Sequence, residues 1–199
     1  MFKTGFAASL AALALFAAPA AFAADQTNIL ALDRTRLIAQ SAAGKSIQAQ
    51  LQAIGKSVDA ELEPEAKGLE TELEAIQAMG KGLTLEQLKG RADIKAKVES
   101  LNKRKAAFDQ KRGKRTQEVI ATQNKADEDF EKAAQPILTQ IIKERGAVLV
   151  VDLREVVYVD PKIDITQDAI TKMDAAVKTI AVTKVNLPDK PAGSGAAQQ

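Results

Sequence analysis

Cysteine and histidine are both absent from the 199 residues, and so is tryptophan. Without cysteine there can be no disulfide and no thiolate nucleophile. Without histidine the commonest metal ligand and general base are missing too. Aromatic residues make up only 4% of the chain; 46% is hydrophobic, but alanine supplies much of that share. Such a composition lacks the bulk for one large globular core and fits elongated helices instead. An excess of either charge is also lacking, since 28 Lys and Arg against 26 Asp and Glu leave +2. A balance so near zero gives little overall attraction for nucleic acid, and no nucleic-acid partner is expected. No nucleophile stands beside a plausible base. No catalytic residue, metal site or cofactor is expected, and the chain does not read as an enzyme.

Long apolar runs are scarce as well. The one that occurs, Phe6 to Ala18, follows the positive start Met1-Phe2-Lys3. Ala21-Phe22-Ala23 then offers small residues where a signal peptidase reads them. The run is alanine-rich and shorter than a membrane span requires. Residues 1–23 therefore read as a cleaved signal, with the mature chain starting at Ala24. An exported chain without cysteine fits the periplasm of a Gram-negative-type envelope, where disulfides are permitted but not required.

What the sequence does contain is a helical stripe from Lys45 to Ile142. Ile47, Leu51, Ile54, Val58, Leu62, Leu69, Leu73 and Ile76 recur in threes and fours once Ala66 is counted. A stripe so narrow is covered only by another helix. The return helix carries Ile94, Val98, Leu101, Phe108, Val119, Phe130, Ile137 and Ile141. Between the two, Met79-Gly80-Lys81-Gly82 can end a helix, and Thr84-Leu85-Glu86-Gln87 has the spacing of a capping box. Leu83 and Leu88 sit where a hydrophobic staple would hold the turn. Residues 44–142 thus read as a helical-hairpin arm with its tip near 79–84. Pro64 removes a donor inside the outgoing helix at a cost of ~3 kcal/mol, so a kink or hinge is expected there.

The two arms differ in charge. The outgoing one carries Asp59, Glu61, Glu63, Glu65, Glu70, Glu72 and Glu74. The return arm carries Arg91, Lys95, Lys97, Lys103, Arg104, Lys105, Lys111, Arg112, Lys114 and Arg115. Opposite charges favour antiparallel pairing, more as a matter of specificity than of stability. Toward the tip and mid-arm Lys81, Lys89, Arg91, Lys95 and Lys97 outnumber Glu86 and Asp93, which leaves a basic excess.

At the base, residues 28–33 read as a short strand, followed by a helical piece from about Thr35 to Ala43. After Gly146, the stretches 148–152 and 156–160 read as two strands of a hairpin, apolar enough to be covered on both faces. Thr166 reads as the cap of a last helix whose apolar face is Ile170, Met173, Val177 and Ile180. Residues 24–43 and 143–182 form a body split in sequence by the arm. It is too small to cover such strands alone, and self-association through Ile29, Leu30, Leu32, Val148, Leu149, Val150, Val151, Val156, Val157 and Tyr158 is expected. Asp33, Asp152, Asp160 and Asp164, at strand ends and turns, read as structural. Residues 183–199 read as a disordered tail. The stretch 39–46 loosely resembles a phosphate-binding loop, a minor ATPase reading. That loop must directly follow a strand, however, and here a helical stretch intervenes.

Three segments together are similar to one family. They are the first strand and helix ending Gly44-Lys45, the mid-arm run from Ala107 to Arg115, and the block from Val148-Leu149-Val150-Val151-Asp152 through Val157-Tyr158 to Asp164-Ile165-Thr166. With these, the chain resembles the Skp/OmpH family of periplasmic chaperones over nearly all of its mature length. Pro64, a somewhat longer arm and the proline-containing tail depart from the pattern. The resemblance implies a mostly α fold with small β, a long antiparallel coiled-coil arm on a small oligomeric β-barrel-like body. It also implies a homotrimer whose arms surround a cavity and hold unfolded outer-membrane β-barrel proteins without ATP. On that reading Met79, Leu83, Leu85 and Leu88 supply weak apolar contacts. Lys81, Lys89, Arg91, Lys95, Lys97, Lys103, Arg104 and Lys105 attract acidic clients. Arg104, Lys114 and Arg115 could instead meet acidic lipid headgroups or lipopolysaccharide, beside the plainer reading of a solvated cationic face. The alternative function is a structural coiled-coil spacer or tether of the envelope.

The apolar stripe lapses between Phe108 and Val119, where Arg112 and Arg115 stand in line. This segment is predicted to exchange amide hydrogens faster than residues 137–142. Equal protection in a hydrogen-exchange experiment would count against a flexible middle.

Overall fold

The computed structural model describes residues 28–189; the expected signal segment and the last part of the expected tail lie outside them. The chain starts with β1 (Asn28–Leu32) and α1 (Arg34–Gln40), then goes out along α2 (Ala42–Gly80). It turns through the short α3 (Leu85–Lys89) and returns along α4 (Ala92–Arg145). β2 (Ala147–Asp152) and α5 (Thr166–Ala176) complete the base. At the usual rise per residue α2 is ~58 Å long and α4 ~80 Å.

Three ion pairs give the register of the arm. Glu72 meets Arg104, Glu65 meets Lys111 and Glu61 meets Arg115. Each step toward the base on α2 is matched by an equal step on α4, as an antiparallel pair requires. The acidic–basic asymmetry of the two arms is thus used across the seam. One detail of the expected stripe is displaced. Ala66 and Leu73 are exposed, while Glu65 and Glu72 are half-buried in their place. Cations of α4 face those two positions, so a carboxylate there gains a partner that an apolar side chain would not. The seam also runs through Pro64 without a break in α2, and α4 continues likewise through a second interior proline, Pro136.

The base gathers both ends of the hairpin around one core. Leu30, Leu32, Leu37, Ile47, Phe130, Ile137, Ile141, Ile165, Ile170 and Met173 are all buried in it. α1 and α2 pass so close at Gly44 that a Cβ would lie 1.8 Å from the Ile38 carbonyl oxygen, so only glycine fits there. The amides that a phosphate would need are already bonded. The Ala42 N–H donates to Asp174 at 2.7 Å and the Gly44 N–H to Ser41 Oγ at 3.2 Å. This removes the phosphate-loop reading. Gly146 ends α4 in the left-handed conformation, φ 60°.

The strand arrangement corrects the expectation of a β-hairpin. β2 pairs with β1, in parallel, with Leu30 opposite Val150 and Leu32 opposite Asp152. Parallel neighbours need a long crossover, and here the whole helical arm serves as that connection. After Asp152 the chain turns through a 3-10 helix, Leu153–Glu155, and residues 156–159 form no strand. The four aspartates act as structural groups, as expected. Asp33, Asp152 and Asp160 each cap the turn that follows, and Asp164 accepts the Thr166 N–H at 2.8 Å. Thr166 is therefore not the cap. Its buried Oγ1 accepts the Asp33 N–H at 2.8 Å and ties α5 to the end of β1. α5 stops at Ala176, so Val177 and Ile180 pack on the core from a non-helical segment.

Ile141 is fully buried at the centre of this core. Ile141→Ala should cost about 2–5 kcal/mol in urea unfolding. The same truncation at the exposed Leu73 should cost less than about 1 kcal/mol.

Candidate functional site

The tip is ordered by its own small core. Ile76, Ile94 and Leu101 are buried there, with Leu69, Met79, Leu83 and Leu88 packed around them. The capping box forms as its spacing predicts: Thr84 Oγ1 accepts the Gln87 N–H, and Gln87 Oε1 accepts the Thr84 N–H. Of the four apolar residues assigned to weak contacts, Met79, Leu83 and Leu88 are thus half-spent on the fold. Only Leu85 stands clear, at 77% exposure. The staple wins because burying those side chains locally is what closes the turn.

The basic face divides in the same way. Lys81, Lys89, Lys95, Lys97, Lys103 and Lys105 are exposed, and none has an ion-pair partner among the described residues. Arg91 is held by Asp93, whose carboxyl is drawn down to about 2 by the guanidinium hydrogen bond. Arg104 is held by Glu72. Lys114 pairs with Asp189, and Arg115 with both Glu61 and Glu118. The three cations considered for lipid are therefore all engaged by carboxylates.

The lapse in the stripe proves to be a filled polar layer. Lys111, Arg115 and Glu118 take the seam positions, facing Glu61 and Glu65 of α2. Arg112, expected in line, instead lies outside, against Asp109 and 5.9 Å from the Phe108 ring centre. Glu118, absent from the sequence-based site, is the centre of the layer at 1% exposure. Its carboxylate accepts from Arg115 at 2.8 Å and from the Leu187 N–H at 3.2 Å, with Lys184 3.7 Å away. Burial alone would raise its pKa. The Arg115 guanidinium, the Leu187 amide and the Lys184 ammonium together outweigh burial and bring it below the usual value. Thr122, one turn nearer the base, is also fully buried. Stepping in fours from Phe130 through Ala126 points to both residues. Stepping to the apolar Val119 hides them.

Residues 183–189 do not behave as the expected tail, because side chains of the arm hold their backbone. The Val185 N–H donates to Thr122 Oγ1 at 2.9 Å, beyond the Leu187 contact already named. A tail of low hydropathy stays ordered here because the arm meets its amide groups one by one. Residues 190–199 lie outside the described part.

A family model described as outer membrane protein (OmpH-like) matches residues 28–173. The chain belongs to the OmpH-like family. Among solved structures, that of an OmpH-like outer membrane chaperone from Caulobacter crescentus CB15 aligns with a TM-score of 0.67 and 23% identity. The alignment covers 82% of this chain and 93% of that one, and the likeness is one of fold. No curated protein matches. The OmpH-like match stops at Met173, so the segment that reaches Thr122 and Glu118 lies beyond it. Among the described residues, no helix of this OmpH-like chain is long and apolar enough to cross a membrane.

Because the Glu118 carboxyl is more acidic folded than at its ordinary 4.5, its stabilising contribution is present above that value. It is lost as the pH falls through the lower, folded value. Glu118→Gln should therefore lower the urea midpoint at pH 7, and the gap from the parent should close below pH 4.5. A gap independent of pH would mean that the charge is not what Glu118 contributes.

Proposed function

We propose that this OmpH-like chain is an ATP-independent periplasmic holdase that captures unfolded outer-membrane β-barrel proteins between the arms of a homotrimer. The observation that carries the reading is the distal arm. Six lysines there project without carboxylate partners among the described residues, and Leu85 is exposed at the tip. Such a surface attracts acidic, unfolded chains over a Debye length of about 8 Å without reading any one sequence. Single contacts of this kind are weak. Three arms acting together gain by effective concentration, and capture can be tight with no defined pocket. Release needs no nucleotide when folding into the membrane is the more favourable state for the client.

The base supports the assembly. In the single chain Ile29, Val148, Leu149, Val157 and Tyr158 are exposed, at 39%, 70%, 50%, 107% and 83%. These apolar residues of β1, β2 and the loop after it are where copies would meet to form the body. Acidic lipid or lipopolysaccharide is not part of this proposal, since it would first have to displace Glu72, Asp189, Glu61 and Glu118 from Arg104, Lys114 and Arg115. Pro64 as a hinge remains compatible with it, because a bend there leaves the helix continuous.

The test dilutes an unfolded outer-membrane barrel protein from urea and follows light scattering with and without this chain, alongside its mass in solution. Suppressed scattering by a species of three copies is expected. A lone chain that leaves the client to precipitate would exclude the reading and favour an envelope spacer or tether. Reversing Lys95, Lys97 and Lys103 to Glu should weaken capture and flatten its dependence on salt. Arg104 is left alone, since its reversal would also break the pair with Glu72. Unchanged affinity at low salt would remove the electrostatic part of the mechanism.

A further inference from the structure

From Val177 to Asp189 the chain forms neither helix nor strand, yet its side chains alternate. Ile180, Val182 and Lys184 are half-buried while Ala181 and Thr183 are exposed; after one phase slip, Val185 and Leu187 face in and Asn186 out. The backbone of this strap is met by side chains from both arm helices. Gln50 of α2 donates through Nε2 to the Ile180 carbonyl at 2.7 Å and accepts the Val182 N–H through Oε1 at 2.9 Å. One carboxamide thus bridges a carbonyl and an amide two residues apart, as a residue of a neighbouring parallel strand does. Thr122 and Glu118 of α4 accept two further N–H groups, of Val185 and Leu187.

All four hydrogen bonds go to main-chain atoms. Recognition of that kind asks of its ligand an extended backbone and apolar residues at alternate positions, and little else. Besides the apolar packing of Val177, Ile180 and Val182 on the base, two ion pairs among the described residues, Lys184 with Glu118 and Asp189 with Lys114, depend on the identity of the strap's own side chains.

We propose that the groove between α2 and α4, from Gln50 to Glu118, is a binding site for extended peptide that turns alternate, mainly apolar, side chains toward the arm. The chain's own C-terminal segment occupies it in cis. Strands of membrane β-barrels carry that alternation. An unfolded barrel protein therefore offers segments that compete with the strap, a consequence that rests on the holdase reading. Because the strap is tethered through α5, its effective concentration is high, and a competitor gains the groove chiefly when the strap is loosened.

The full chain carrying both Val182→Pro and Val185→Pro loses two strap donors and keeps every groove residue. A labelled peptide of residues 177–189, followed by fluorescence anisotropy, should bind this variant about tenfold tighter or more than the parent. A short unlabelled peptide alternating valine and threonine should displace it, whereas the same residues arranged in blocks should not. Adding Gln50→Ala and Thr122→Val should abolish the gain. The proposal is overturned if the proline variant binds no better, if the gain survives loss of Gln50 and Thr122, or if the alternating peptide fails to compete. In the last case the strap is a private clasp and not an occupant of a general site. Circular dichroism checks that each variant is folded. Lys184→Glu, which sets a carboxylate against Glu118, is a second way to loosen the strap should the proline variant not fold. Peptide binding as described, with a client that still precipitates, would sink the holdase reading and leave this one standing.

Discussion

Each of the two long helices carries an apolar stripe too narrow to be covered by anything but the other, and every other feature depends on that pairing. Burial along the seam fixes the antiparallel register, and the register brings Ile47 near the start of α2 to the same end as Phe130, Ile137 and Ile141 of α4. β1 and β2 can lie side by side only because the hairpin returns the chain to where it set out. The body is thus a consequence of the arm, although it is the part that carries the strands.

The seam is not apolar along its length, and where it changes character it gains a second kind of information. Near the base it is built from Ile, Phe and Ala, which pack densely and tolerate little change. In the middle, Glu61, Glu65, Lys111, Arg115 and Glu118 take over. Most of these pairs are partly exposed, and each adds little net stability. What they add is register, since Glu72–Arg104, Glu65–Lys111 and Glu61–Arg115 are all made together in one alignment, and a shift by one turn would set Arg104 opposite Gly68 or Ile76. Glu118 is the exception in burial, and its carboxylate is kept charged by Arg115 on one side and the Leu187 amide on the other. The polar layer therefore also anchors the C-terminal strap.

The helical hairpin, its tip and its charge asymmetry were legible because each rests on short-range spacing. Thr84 and Gln87 announce their capping box three residues apart, and Gly146 its helix end. The base is less legible in the sequence. Residues 148–152 and 156–160 are near neighbours with strand-like composition, and the hairpin they suggest is the shortest connection. The actual partner of β2 is β1, more than a hundred residues earlier, and no local pattern records such a pairing. The sequence marks Thr166 as a special position but not its role, since the hydroxyl looks across to Asp33 and not along its own helix. At the tip, Met79, Leu83 and Leu88 look available in sequence, while the fold half-buries them against Ile76, Ile94 and Leu101. Composition does not distinguish an apolar residue that closes a turn from one that waits for a ligand.

The sequence by itself determined that two long helices must cover one another, where they turn, and which of them is acidic and which basic. Those are properties of periodicity and of residues close together in the chain. Only the tertiary structure decided that the strands run parallel, that Glu118 is buried between Arg115 and Lys184, and that residues 177–189 lie along the arm. Each of these depends on groups far apart in sequence whose hydrogen bonds and charges find partners only once the seam has closed.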